Sequence, residues 1–192
     1  MTLNPEKSLA EQLIPRAFSI PNSPIWQDSS TTLECRELEA AVGGAQALAD
    51  ITGSRGYERF TGAQIKRVCA LRPWVLALLI IDVAHQIRRT RPASYEKTAD
   101  ISLVSSFIAS LFLGRIAPID VSDASGMNLM DVLSRKWVDS ILEVSGGKEL
   151  RGKLKGDPVE GGIALGVVHP YWTRRWGFPP GTFVLTSCLL PA

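Results

Sequence analysis

Cysteine, histidine and aromatic residues are all scarce in this 192-residue chain, which has 3 Cys, 2 His and 7% aromatics. Cys35, Cys69 and Cys188 stand far apart and match no metal or redox spacing; an odd count without a signal peptide suits a reducing compartment. His85 and His169 have no ligand partner at a useful spacing, so both read as structural. Met1 to Pro15 contains no unbroken apolar core, and no secretory signal is expected. The apolar run Trp74–Ile81, ended by Asp82, falls short of the about 20 residues that a spanning helix needs. A net charge of +2 does not advertise nucleic-acid binding.

What is present suits one globular unit with a substantial core: 45% apolar and 21% charged residues. Lys66, Arg67 and Arg72 with Arg88, Arg89 and Arg91 form one basic cluster, readable as a solvated surface or as an anion site. Residues 1–24 are polar and punctuated by proline, with room for a short helix at Ser8–Leu13. Pro24–Ser30 reads as a short strand. Thr31-x-x-Glu34 has the form of a capping box, opening a helix that turns Leu38, Ala41 and Val42 inward and stops at Gly43-Gly44. A second helix, Ala45–Ile51, ends at Gly53.

The stretch 101–137 carries the strongest pattern. Val104, Phe107, Ile108 and Leu111 follow the i, i+3, i+4, i+7 spacing of a buried helical face, closed by Gly114 and Pro118. A polar loop follows over Pro118–Asn128, with Asp120 and Asp123, and such a loop is a plausible seat for a small polar ligand. Asp120 and Asp123 read either as an acid–base pair or as turn caps through Asx motifs. A further helix starts near Asp139, turns Ile141, Leu142 and Val144 inward and ends at Gly146-Gly147. Residues 148–162 read as a loop, and Thr182–Cys188 as a strand.

Several of these phrases resemble the eukaryotic xylulose kinases of the FGGY carbohydrate kinase family. They are Trp26 with Asp28–Thr31, Cys35–Glu39, Val42–Leu48, Thr52–Arg55 and Tyr57–Gly62. Ser105–Phe107, Ser110–Gly114, Ala117–Asp120, Ser122–Leu129 and Arg175–Gly181 continue the match. The resemblance covers roughly 24–66 and 87–184 and leaves 67–86 as an unmatched insertion, readable as a retained intron or a gene-model error. It implies an α/β fold, part of a ribonuclease H-like lobe of the actin-like ATPase superfamily, truncated at both ends. The implied organisation is an approach segment over 1–23, a partial kinase N-terminal domain over 24–188 and an aberrant tail over 189–192.

The resemblance also implies chemistry. A family member transfers the γ-phosphate of ATP to D-xylulose, or a related ketose, using Mg²⁺ in the cytoplasm. The family's sugar-contacting arginine maps to Arg59, and Asp123 is the second expected substrate-binding residue. Read from the residues alone, Arg59 between Glu58 and Phe60 fits a structural ion pair as well as a fork for hydroxyls. The strand after Pro179-Pro180-Gly181 leads in the family to Gly-Asp-Asn, whose aspartate is the catalytic base; this chain has Leu185–Ala192 there. No Walker-type loop replaces the family's phosphate-facing hairpin. Inactivity of the isolated chain, and no tight binding of ATP or Mg²⁺, are therefore expected, with neither nucleic acid nor membrane as a partner. The alternative is a non-catalytic product that binds sugar weakly or associates with another kinase chain. Phosphorylation of D-xylulose by the purified chain would refute the inactivity.

Overall fold

The computed structural model describes residues 3–13, 17–20, 22–25, 27–69 and 92–186. Its contacts divide the chain into two interleaved units. The first takes Met1–Phe18, Asp100–Ala124 and the described part of Gly152–Ala192; the second takes Ser19–Ala99 and Ser125–Arg151.

The second unit is helical among its described residues. Helix α2 (Thr32–Val42) is followed by α3 (Ala45–Thr52), α4 (Thr61–Cys69), α5 (Pro92–Glu96) and α8 (Asp139–Gly146). Gly43 and Gly53 end α2 and α3 at the predicted places, in the left-handed region at φ +102° and +83°. The buried stripe of α2 is Glu34, Cys35, Leu38 and Glu39, so Leu38 points inward as expected while Ala41 lies exposed. Two buried glutamates take those places because each has polar partners. Arg67 reaches the Glu34 carboxylate at 3.4 Å and Arg36 reaches Glu39 at 2.6 Å. The predicted capping box does not form. The Thr31 hydroxyl donates to the Glu58 carbonyl at 2.6 Å instead, and Glu34 faces Arg67. Nor is 24–30 a strand among its described residues: Asp28 accepts from the Ser30 amide and makes a turn.

Helix α4 seats tightly against the chain at Met127. The Gly62 amide donates to the Met127 carbonyl at 2.9 Å, and a Cβ on Gly62 would stand 2.6 Å from that oxygen. Lys66 and Arg67 are not a solvated surface. Lys66 donates to the Val144 carbonyl and pairs with Glu37, and Arg67 donates to the Ser30 carbonyl at 2.7 Å. The rest of the basic cluster and residues 70–86 of the predicted insertion lie outside the described residues, as do Trp26 and 189–192. Ile141 and Leu142 of α8 are buried as predicted, with Ser145 rather than Val144 completing the face.

In the first unit, α1 (Leu9–Leu13) precedes α6 (Val104–Leu113), α7 (Val121–Ser125), β1 (Ala164–Val167), α10 (Pro170–Trp176) and β2 (Phe183–Leu185). Helix α9 (Leu150–Lys153) carries the chain into this unit and adds a turn of helix to the predicted 148–162 loop. The strands pair antiparallel, Val167 opposite Phe183 and Ala164 opposite Leu185. Leu113, Ala117, Val168 and Val184 form the core, extended by Phe112, Trp172 and Phe178. Phe112 stacks on Trp172 with centroids 4.4 Å apart.

Helix α6 ends at Gly114 as predicted and buries a different face. Ser106, Ser110 and Leu113 are buried, while Val104 is 73% and Ile108 47% exposed. Hydrogen bonding explains the choice. Ser110, wholly buried, donates to the Ser106 carbonyl at 2.6 Å and accepts from the Ala117 amide at 2.8 Å, so it holds the returning chain. Gly114 turns that return at φ +70°, against the His169 ring, where a Cβ would lie 2.5 Å from Cδ2. His169 is structural, as expected: its Nδ1 accepts the Tyr171 amide and opens α10. The outer face of the strand pair, with Val167, Phe183 and Leu185, is apolar and exposed.

Candidate functional site

The polar segment after Pro118 is a turn of helix rather than a loop. Asp120, 3% exposed, caps α7 by accepting the Asp123 amide at 2.9 Å. Its backbone is fixed on both sides by Val159, whose amide donates to Ile119 and whose carbonyl accepts from Val121. The Asx reading of Asp120 is therefore the one that the structure adopts. Asp123, at the third position of that turn, projects to Ser105 on α6, and the Ser105 hydroxyl donates to Asp123 Oδ2.

Ser105 and Asp120 border a cleft of about 280 Å³ in the first unit. Ser105, Ser106 and Asp120 contribute its polar wall, with Thr186 at the end of β2; Ile108, Phe112, Leu165 and Leu185 contribute apolar surface. A small, mostly apolar pocket with a few convergent polar groups is the ordinary form of a small-molecule site. Burial pushes the Asp123 carboxyl above its usual range. The neighbouring Asp120 charge adds to this, and the Ser105 hydrogen bond opposes it.

Arg59 belongs to the second unit. It is exposed, with its guanidinium 5.3 Å from the centroid of the Tyr57 ring. Tyr57 in turn meets Phe60 edge to face at 5.5 Å, and Glu58 is held at α2 by the Thr32 hydroxyl. The segment thus presents Arg59 on an ordered aromatic turn. Each of the two predicted site residues sits in a different unit.

Sequence reasoning missed Ser105. It lies eighteen residues before Asp123, and only the tertiary return of the chain joins them; the Ser105-Ser106 pair opening an apolar helix is the one signal it offered. A reactive thiol is not available at Cys35, which burial pushes up to about 11. Among the described residues, no group of three or more His, Cys, Asp or Glu side chains could hold a metal ion. Ser187–Ala192, at the place of the family's catalytic base, lie outside the described residues. No helix among the described residues is long and apolar enough to cross a membrane.

Comparison with known proteins gives a consistent likeness. The chain is 45% identical over 184 residues to the xylulose kinase of Rattus norvegicus, covering 96% of this chain and 30% of that protein. It is 44% identical over 189 residues to D-xylulose kinase A of Aspergillus niger, again 96% of this chain and 30% of that one. The chain thus spans about 30% of the length of the curated relatives it matches. Among solved structures, xylulose kinase from Rhodospirillum rubrum superposes with a TM-score of 0.61 at 19% identity, over 84% of this chain and 28% of that one. Plasmodium falciparum glycerol kinase gives 0.57 at 14% identity, over 88% and 29%. These structures share the fold of this α/β chain over the matched part. No protein-family model matches the chain.

Proposed function

We propose, from the premise that this chain belongs to the xylulose kinases of the FGGY carbohydrate kinase family, that it supplies sugar-side residues of an ATP:D-xylulose phosphotransferase. The observation that carries this reading is the 45% identity over 96% of the chain, far beyond a shared fold. In such a transfer a hydroxyl of the sugar attacks phosphorus and loses its proton, so catalysis depends on how that hydroxyl is held. ATP and Mg²⁺, where bound, supply the phosphoryl group and neutralise its charge. The residues described in this chain hold sugar.

Two places suit that task. Arg59 offers several fixed donors on the Tyr57 turn, and the cleft beside Asp123 offers acceptors within an apolar wall. Each place by itself offers groups that a hydroxyl can meet, since a hydroxyl both donates and accepts.

Titration calorimetry with D-xylulose tests the reading. Binding is expected for the native chain, and Arg59→Ala is expected to weaken it at least tenfold with an unchanged melt. Native protein that takes up no D-xylulose sinks the proposal.

A further inference from the structure

The polar side chains that line the cleft share a chemical property. Ser106 is turned back on its own helix, accepting from the Leu103 amide and donating to the Leu103 carbonyl. Thr186 donates to the Glu160 carbonyl and accepts from the Ile163 amide, both at 3.0 Å. Ser105, which lines the cleft, has its one proton on Asp123 Oδ2, so the lone pairs of its oxygen are what it has left for a ligand. Asp120 is a carboxylate whose Oδ1 already takes the Asp123 amide. The hydroxyl protons of Ser105, Ser106 and Thr186 are all spent within the fold, so the polar side chains lining this cleft have only acceptor capacity left for a ligand.

Asp123 itself is absent from the lining and stands behind Ser105. Its carboxylate cannot donate, so the serine hydroxyl next to it is held as the donor of that pair. A neutral serine can otherwise rotate to serve a ligand either way. Here its orientation is fixed before any ligand arrives, which removes part of the ordering cost of binding.

We propose that Ser105 is the sugar-contacting residue of this cleft, reading a hydroxyl donor of the ketose, and that Asp123 is a positioning residue that acts through it. This deepens the ketose-binding reading and rests on it. The site discriminates by chemistry. A sugar hydroxyl can donate to Ser105, whereas a carbonyl oxygen or a deoxy carbon cannot. Either would leave an acceptor facing no donor in a partly desolvated wall. The reducing-end carbonyl of a ketose is therefore excluded from this corner, and a hydroxylated carbon occupies it.

The experiment is calorimetry on the full chain with D-xylulose and the series of its monodeoxy analogues, in the native protein and in Ser105→Ala, Ser105→Thr and Asp123→Asn. In the native protein one analogue is expected to bind about tenfold worse than D-xylulose, the equivalent of one neutral hydrogen bond. Ser105→Ala is expected to weaken D-xylulose about tenfold and to abolish that analogue's penalty. Ser105→Thr, which keeps the hydroxyl, restores both. Asp123→Asn, whose amide can compete for the serine, reduces the penalty without removing it. A merely structural serine would weaken all sugars alike and leave the penalty in place. Ser105→Ala that binds D-xylulose and every analogue as the native chain does overturns the assignment while leaving the ketose reading intact. A native chain that binds no D-xylulose overturns both.

Discussion

The side-chain amide of Asn128 donates to the Thr52 hydroxyl at 2.9 Å and to the Ser54 carbonyl at 3.0 Å, joining positions 76 and 74 residues apart. Asn128 does this from the left-handed region, at φ +54°, with 2% of its surface exposed. Asparagine tolerates that conformation better than alanine, and its amide provides both donors. Asn128→Ala should therefore cost about 2 kcal/mol, combining backbone strain with two lost hydrogen bonds. Asn128→Gly, free of strain, should cost less. Urea unfolding of both variants separates the two contributions; equal losses would mean that strain plays no part.

Ser110 is wholly buried and bonds at both ends. Replacing it by alanine leaves the Ala117 amide buried without its acceptor, which costs about 1–3 kcal/mol. The urea midpoint should fall with an unchanged m-value. A loss below about 0.5 kcal/mol, the range of ordinary surface substitutions, would contradict this account of why a serine outranks Ile108 on the buried face.

Gly62 tests the close approach of α4. A methyl group there would press to within 2.6 Å of the Met127 carbonyl oxygen and 2.9 Å of Leu129 Cδ2. The oxygen belongs to backbone that is itself bonded to the Gly62 amide, so neither side yields cheaply. Gly62→Ala should destabilise by about 1–3 kcal/mol, although alanine favours helix more than glycine does. A stabilised variant would show that the 127–129 segment moves freely.

Asp123 gives a pH signature. Its carboxyl titrates above the ordinary 3.8 of an aspartate, chiefly through burial and next through Asp120. Between 3.8 and its raised value the folded chain binds more protons than the unfolded one, so its contribution to stability is present at low pH and lost as pH rises through that window. Asp123→Asn lacks the titration, and its amide oxygen still accepts from Ser105. Its melting temperature relative to the native chain should rise across the window and level off above it. A constant difference from pH 3 to pH 8 would refute the shift.

Local chemistry was legible in the sequence where one residue decides the outcome. Gly43, Gly53 and Gly114 end their helices in the left-handed region because no side chain opposes it. The faces of helices were less legible, since partners far along the chain select them. Glu34 turned inward because Arg67 awaits it, and Val104 stayed outside because Ser106 and Ser110 do the bonding. The same holds at the cleft. Asp123 was visible as a carboxylate in a polar stretch, but its serine became visible only once α6 and α7 were brought together.

Interleaving of the two units has a consequence for synthesis. Arg175 donates to the Pro5 carbonyl across 170 residues, within a unit whose pieces come from the beginning, middle and far part of the chain. At about 5–20 residues per second, the first segment waits on the order of ten to thirty seconds on the ribosome for that partner. Pro5 is thus made long before the residue that holds it in place.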